Sequence, residues 1–278
     1  MRVTIFGASG LLGTALANKF AEDDVSAPTS LEVDLRDTQR VEKWVEKARP
    51  ERIVLAAAYT NVDGCESNPE LAFSVNRDAA VIVAKAARKV GARLFFLSSD
   101  YVFDGKKTSP YEVDDARNPQ SVYGRSKAEA EIQLLAVLPE CCIVRTSWLF
   151  GTAGKCFPDT ILKLAASRPT LDVVNDQRGC PTYAVDLAKA IVQLCRQGAR
   201  GIVHATNRGD CTWFGFAREI VRSAGLATEV RPVSSLQMAR PAPRPAYSVL
   251  SSASLAGLQI QMPSWQDALQ RYLRERGI

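Results

Sequence analysis

The stretch RVTIFGASGLLG, residues 2–13, decides the fold. Five β-prone residues lead into three glycines, Gly7, Gly10 and Gly13, and an apolar helical pattern begins among them. At this spacing, Gly7 permits a tight turn, Gly10 lets the backbone approach a pyrophosphate, and Gly13 lets the helix pack close to the strand. The helix N-terminus then offers free N–H groups and the positive end of its dipole to phosphates. The stretch therefore predicts a dinucleotide site where the first strand meets the first helix.

Apolar runs alternate with helical patterns through the first two-thirds of the chain. The predicted strands are residues 2–6, 52–58, 93–98 and 141–147, with a weaker second strand near residue 25. The predicted helices are residues 11–23, 40–48, 69–90 and 126–138. Repeated strand–helix units of this kind predict an α/β fold with a doubly wound parallel (Rossmann) sheet that is covered on both faces.

The pattern changes after about residue 150. Short helical segments follow at 159–167, 184–195, 212–225 and 264–276, and the proline-rich RPAPRPAYS at 240–248 is unable to form regular structure throughout. We therefore predict a dinucleotide-binding domain over residues 1–150, completed by about residues 171–203. Most of residues 151–278 would form a smaller C-terminal substrate-binding lobe.

The composition excludes several classes of protein. The net charge of +5 comes from 35 basic and 30 acidic residues that are interspersed, without the dense basic stripe of a nucleic-acid binder. Seven cysteines without a CxxC motif, and a single histidine, disfavour zinc sites and a disulfide framework, so we expect reduced, buried thiols and a cytoplasmic protein. The sequence shows no leader and no apolar run of membrane-spanning length, so we expect no membrane association.

The preference between the two nicotinamide cofactors depends on where the second strand ends. If VSAPT (25–29) is the strand, the small residues Thr29 and Ser30 stand at its end and tolerate the 2′-phosphate of NADPH. If LEV (31–33) is the strand, Asp34 would bind the ribose 2′-hydroxyl of NADH. We favour NADPH and keep NADH as the alternative.

Two further stretches contain reactive side chains. SVYGRSK (121–127) places Tyr123 and Lys127 four residues apart, on one face of a helix. A nearby ammonium favours the phenolate, so we expect Lys127 to lower the pKa of Tyr123. The stretch SSDYVFDG (98–105) ends a buried strand with two serines and an aspartate, and the ends of such strands are where α/β proteins hold their ligands.

In this order, the glycine loop, SSDYVFDG and YGRSK resemble the extended short-chain dehydrogenase/reductases. AAAYTNVDGCE (56–66), VRTSWLFG (144–151), VNDQRGCPTYAVDLA (174–188) and RPAPRPAYSVL (240–250) narrow the resemblance to the family of dTDP-4-dehydrorhamnose reductases, across nearly the whole chain. The resemblance implies reduction of the 4-keto group of a dTDP-linked 4-keto-6-deoxyhexose by NADPH or NADH.

The resemblance also implies roles for individual residues. Tyr123 would be the general acid, Ser99 would hydrogen-bond the carbonyl oxygen, and Lys127 would hold the nicotinamide ribose. Besides Tyr123 and Lys127, the implied cofactor-binding residues are Gly7, Ser9, Gly10, Leu11, Leu12, Gly13, Asp34, Leu35, Ala57, Ala58 and Thr60. Besides Ser99 and Tyr123, the implied substrate-binding residues are Val62, Asp100 and Trp148.

Some features leave alternatives open. Certain family members bind magnesium through a glutamate two residues after the last glycine; this chain has Ala15 there, so we predict no metal site.

The oligomeric state stays open, with a homodimer as one option. The substrate could be another nucleotide-linked 4-ketohexose. The alternative to an enzyme is a non-catalytic protein with this fold, of the type of the NADP-binding regulatory subunit of methionine adenosyltransferase.

Overall fold

The computed structural model describes residues 1–278. Its strands are β1 (Arg2–Phe6), β2 (Asp24–Ser26), β3 (Arg52–Leu55), β4 (Arg93–Ser99), β5 (Cys142–Thr146), β6 (Leu149–Phe150), β7 (Thr170–Val174), β8 (Arg178–Gly179), β9 (Thr182–Tyr183), β10 (Gly201–His204), β11 (Cys211–Thr212) and β12 (Glu229–Val233). Its α-helices are α1 (Leu11–Lys19), α2 (Thr38–Ala48), α3 (Val62–Ser67), α4 (Pro69–Phe73), α5 (Ala79–Val90), α6 (Val122–Val137), α7 (Phe157–Ala165), α8 (Ala184–Gln197), α9 (Trp213–Ser223), α10 (Ala253–Ala256) and α11 (Trp265–Glu275).

The central sheet has six parallel strands in the order β10-β5-β4-β3-β1-β2. Strand β2 lies on one side of β1, and the next strand along the chain, β3, lies on the other side of β1. The strand order therefore reverses between β1 and β3, and in sheets of this type ligands bind outside the carboxyl ends of the strands at that point. The predicted doubly wound α/β fold is confirmed.

Helices cover both faces of the sheet. Neighbouring residues on a strand point to opposite faces. Phe95 of β4 accordingly packs in a core with residues of α1 and α8, and Phe96 packs in a second core with residues of α2, α5 and α6. With both faces buried, the strands read as continuous apolar runs in the sequence.

Several elements differ from the predicted bounds. The second strand takes the earlier of its two positions but ends at Ser26, and residues 31–33 form turns. The third strand ends at Leu55, and the N–H groups of Ala56 and Ala57 beyond it both donate to the Phe6 carbonyl of β1. The predicted helix over 69–90 is interrupted by a π-helical turn, Ser74–Asp78. Helix α6 begins at Val122, four residues earlier than predicted, and so includes both Tyr123 and Lys127.

A smaller unit follows the fifth strand. Three short strand pairs, β6 with β9, β7 with β12 and β8 with β11, surround a third core that includes Phe150, Phe216 and Trp265. Strands β6, β8, β9 and β11 have two residues each, too few for a periodicity, which is why the sequence did not predict them. Residues 184–204, by contrast, belong to the first domain: β10 is an edge strand of the main sheet, and α8 packs in the core on one face of that sheet.

The proline-rich segment 240–248 contains no helix or strand and runs back over the first domain. The Arg244 guanidinium forms an ion pair with Asp63 of α3, and Tyr247 donates its N–H to the Gly105 carbonyl at 3.2 Å. All seven cysteines are free and buried, as expected from the sequence. No helix in the structure is long and apolar enough to span a membrane.

Candidate active site

A cavity of about 1090 Å³ opens at the carboxyl ends of the central strands. Its size exceeds that of a typical pocket for one drug-sized ligand, which leaves room for a cofactor together with a substrate. Every residue that the sequence assigned to cofactor or substrate lines it: Gly7, Ser9, Gly10, Leu11, Leu12, Gly13, Asp34, Leu35, Ala57, Ala58, Thr60, Val62, Ser99, Asp100, Tyr123, Lys127 and Trp148.

The glycine loop forms the floor of the cavity between β1 and α1. Gly7 has a φ of +89°, and a Cβ there would lie 2.5 Å from the backbone nitrogen of Ala57. A Cβ on Gly13 would lie 2.0 Å from the Gly7 carbonyl oxygen. Gly10 precedes α1 without a side-chain cap, so the first N–H groups of the helix have no partner within the protein chain at that end. This arrangement fits the pyrophosphate of a dinucleotide.

The far end of the cavity lies past β2, where an adenosine would be placed. No acidic residue follows Ser26 directly, and Asp34 is bound instead by the Arg36 guanidinium, with Nε–Oδ1 at 3.0 Å and Nη2–Oδ2 at 2.6 Å. These hydrogen bonds lower the pKa of Asp34 to about 2. Arg36, which the sequence reasoning missed, also lines the cavity. The cavity beyond β2 is therefore lined by an Asp34–Arg36 ion pair rather than by a free carboxylate.

The loop after β3 forms one wall, with Ala57, Ala58 and Thr60 facing the cavity. The side chain of Asn76, in the π-helical turn, holds this loop: its Oδ1 accepts from the Tyr59 N–H at 2.8 Å. Its Nδ2 donates to the Tyr59 carbonyl at 3.1 Å and to Ser126 Oγ at 3.0 Å. The π-helical turn thus ties the cofactor-side loop to α6, and such turns are frequent at functional sites.

Ser99, Tyr123 and Lys127 come together at the centre of the cavity. Ser99 is the last residue of β4, whereas Tyr123 and Lys127 lie on the first two turns of α6. Ser121 caps that helix by accepting from the Gly124 N–H at 3.1 Å. Gly124 is required because a Cβ would lie 2.2 Å from the Tyr101 carbonyl oxygen. The helix can therefore approach β4 closely enough for the tyrosine to face the serine.

Burial dominates the electrostatics of this trio. It raises the pKa of Tyr123 above its usual range, although the Ser99 hydroxyl acts in the opposite direction. It also lowers the pKa of Lys127 to about 7, against the charge of Glu131. The net shift of the Tyr123 pKa is therefore upward, and its lowering by Lys127 stays a prediction. Tyr123 therefore keeps its proton at neutral pH and has one to donate.

Asp100 follows Ser99 and is 2% exposed. Its Oδ1 accepts from Ser99 Oγ at 2.9 Å, while its Oδ2 is buried without a hydrogen-bond partner. Burial raises the pKa of this carboxyl to about 6. A buried polar oxygen without a partner is costly, and Asp100 borders the cavity, so this oxygen is a candidate acceptor for a ligand hydroxyl.

The opposite end of the cavity is aromatic. Trp148 stacks on Trp213, with ring centroids 3.5 Å apart and planes 5° from parallel. Trp148 has a φ of +45°, a strained conformation for a side chain of this size. Trp213 and Lys155 also line the cavity, and the sequence reasoning missed both. Their distance from the other motifs along the chain gave no signal of their position.

The doubly wound sheet, the glycine loop and the buried serine, tyrosine and lysine define the class as a short-chain dehydrogenase/reductase. More specifically, the chain matches the family described as RmlD substrate binding domain over residues 1–277, and it belongs to that family.

Relatives across nearly the full length agree. The dTDP-4-dehydrorhamnose reductase of Mycobacterium tuberculosis is 43% identical over 96% of this chain and 91% of its own. The dTDP-4-keto-6-deoxy-D-glucose reductase of Streptomyces niveus is 40% identical over 90% of this chain and 88% of its own. A crystal structure of the Bacillus anthracis dTDP-4-dehydrorhamnose reductase in complex with NADP is 37% identical, covers 99% of both chains and has a TM-score of 0.96. The resemblance drawn from the sequence motifs is confirmed.

Proposed function

We propose that this protein is an NADPH-dependent oxidoreductase that reduces the 4-keto group of dTDP-4-dehydro-L-rhamnose to give dTDP-L-rhamnose. One observation carries the proposal: Ser99, Tyr123 and Lys127 are buried together in a cavity whose floor is a glycine loop. The names of the relatives support the substrate class. The Bacillus anthracis complex supports NADPH as the cofactor.

The cavity residues divide naturally along the length of a dinucleotide. When bound, NADPH supplies the hydride. The N–H groups at the start of α1 would bind its pyrophosphate, and Arg36 would face the 2′-phosphate. Ala57, Ala58 and Thr60 would flank the middle of the molecule, with Asp34 and Leu35 beside the adenine. Lys127 would donate to the nicotinamide ribose.

The trio of side chains would act on the ketone. Tyr123, protonated at neutral pH, would donate its proton to the carbonyl oxygen as negative charge develops there. Ser99 would donate a hydrogen bond to the same oxygen. The Lys127 ammonium would stabilise the phenolate that remains. Proton transfer and an oriented hydrogen bond each contribute on the order of 100-fold or more to the rate.

The remaining lining residues would hold the nucleotide sugar. The unpartnered Oδ2 of Asp100 would accept from a sugar hydroxyl, with Val62 against the ring. Trp148 and Trp213 would provide a flat surface for the sugar or the base. Lys155 would attract the diphosphate.

The decisive assay is oxidation of NADPH, and separately of NADH, with dTDP-4-keto-6-deoxy-D-glucose in the presence and absence of the 3,5-epimerase. Oxidation that requires the epimerase would establish the rhamnose step. Equal oxidation without it would favour the second candidate, direct reduction of the unepimerised sugar, which the Streptomyces niveus relative supports. No oxidation in either case, together with capture of a stoichiometric synthetase partner, would favour the non-catalytic regulatory subunit.

We further propose that the protein works in a reducing compartment, the cytoplasm. Seven free, buried cysteines support this placement, since an oxidising compartment favours disulfides. Homodimer formation stays a prediction.

Arg36→Ala is expected to weaken NADPH binding by about 10-fold or more and to leave NADH binding nearly unchanged. The physical reason is the loss of a charge-assisted hydrogen bond to the 2′-phosphate, a group that NADH lacks. The measurement is the dissociation constant for each cofactor by fluorescence titration. Arg40→Ala is the matched control, since Arg40 pairs with Asp37 outside the cavity. An equal loss for both cofactors would refute the assignment.

A further inference from the structure

A buried ionic network lies directly beneath the active site, and the chemistry proposed above does not use it. Its centre is Glu131 of α6, which is 0% exposed. The Oε1 atom accepts from Ser98 Oγ at 2.5 Å and from Arg145 Nε at 2.9 Å. The Oε2 atom accepts from Arg145 Nη2 at 2.7 Å and from Arg117 Nε at 2.6 Å. One carboxylate thus joins β4, β5, α6 and the loop before α6.

The position of this carboxylate links the two halves of the catalytic trio. Glu131 lies four residues after Lys127 and eight after Tyr123, so all three share one face of α6. Its partner Ser98 immediately precedes Ser99, and Ser98 pairs in register with Arg145 in the sheet. Any shift of α6 along β4 would break these hydrogen bonds as it moved Tyr123 away from Ser99.

The network also sets the charge around Lys127. Lys127 is 2% exposed, and burial disfavours its ammonium, although its Nζ lies 4.3 Å from the centre of the Phe96 ring, whose face attracts a cation. Arg145, fully buried, is a second cation below it. His204, whose pKa is lowered to about 4 by burial and by Arg145, contributes no charge at neutral pH.

The other titratable or charged groups on elements packed around Lys127 leave Glu131 as the compensating charge. Tyr123 is protonated, Asp100 is buried beside Ser99 and accepts from its hydroxyl, and Arg117 is held by Glu131. On the outer side, Arg77 is neutralised by Asp78 and Glu129. Side chains four apart on a helix are about 5–6 Å apart at Cβ. The charge of Glu131 accordingly raises the pKa of Lys127, in opposition to burial.

We propose that Glu131 is a positioning residue of the reductase site, which fixes the end of β4 that holds Ser99 against the helix that holds Tyr123 and Lys127, and keeps Lys127 protonated. The inference rests on the proposed function. A protonated Lys127 is what the nicotinamide ribose and the phenolate require. Cofactor affinity therefore falls as the pH rises through the pKa of Lys127, and loss of the Glu131 charge moves that fall to lower pH.

The test compares Glu131→Gln, Glu131→Asp and wild type by the pH dependence of the NADPH dissociation constant and of kcat, between about pH 6 and pH 9. Glu131→Gln removes the charge, so the loss of affinity should shift downward by about one pH unit or more. Glu131→Asp keeps the charge but is one methylene shorter, so its midpoint should stay near that of wild type while kcat falls about 10-fold. Glu129→Gln is the matched control: the same substitution on the same helix, at a side chain that is 44% exposed.

The outcomes separate the two proposals. Wild-type protein that neither binds NADPH nor reduces the sugar would refute the proposed function itself. Active wild type, with superimposable pH curves for Glu131→Gln and Glu129→Gln, would refute the inference. If Glu131→Gln does not fold, Ser98→Ala removes one hydrogen bond of the network without leaving a charge unpaired. Ser98→Ala and Glu131→Asp that both retain the wild-type kcat would then overturn it.

Discussion

Tyr123→Phe is expected to lower kcat by at least about 100-fold and to leave NADPH affinity nearly intact. The substitution removes only the phenolic hydroxyl, and a general acid typically contributes 10²–10⁴-fold. Tyr123 is 9% exposed and its ring packs edge-on against Tyr101 with centroids 5.5 Å apart, so phenylalanine keeps the packing. The measurement is the steady-state rate of ketone-dependent NADPH oxidation, beside cofactor binding by fluorescence.

The matched control is Tyr101→Phe, since Tyr101 lies beside Tyr123 and also borders the cavity. Loss of the Tyr101 hydroxyl should lower kcat far less than loss of the Tyr123 hydroxyl. A Tyr123→Phe enzyme that keeps more than about a tenth of the wild-type rate would show that another group or a water supplies the proton.

Gly13→Ala is expected to reduce NADPH affinity by about 100-fold or more. The new Cβ would stand 2.0 Å from the Gly7 carbonyl oxygen and 2.6 Å from the Ala8 Cα, both backbone atoms. The loop between β1 and α1 must therefore move, and the N–H groups that face the pyrophosphate move with it. Overpacking of this kind also costs about 1–3 kcal/mol of folding free energy.

The affinity change is measured by calorimetric titration with NADPH, and the stability by thermal unfolding. Gly257→Ala is the control, since its Cβ would meet nothing closer than 3.5 Å. If Gly13→Ala bound NADPH within a few-fold of wild type, the glycine loop would not be the pyrophosphate site.

Local patterns made much of this site predictable. Gly7, Gly10 and Gly13 act within one strand–turn–helix unit, and Tyr123 and Lys127 within two turns of one helix. The end of a buried strand places Ser98, Ser99 and Asp100 at the edge of a parallel sheet, and the family resemblance singled out Ser99 among them. Within the glycine loop and within α6 the relevant neighbours lie close in sequence, so spacing alone placed them together.

Residues that depend on distant partners escaped prediction. Trp213 follows Trp148 by 65 positions, yet the two rings stack in one wall of the cavity. In the sequence, Glu131 is indistinguishable from an ordinary surface glutamate of a helix. Only the fold brings Arg145, Ser98 and Arg117 into contact with its carboxylate. The two-residue strands of the smaller unit likewise exist only through their pairing.

The sequence by itself determined the doubly wound fold and the glycine loop, because both follow from period and spacing, and its family resemblance supplied the proposed catalytic trio. Only the tertiary structure decided the protonation of that trio and the state of Asp34. Burial raises the pKa of Tyr123 and lowers that of Lys127, while Arg36 neutralises Asp34. The physical reason is that a pKa depends on how far the group is removed from water and on which charges lie near it in the folded chain. Neither can be inferred from the order of the residues.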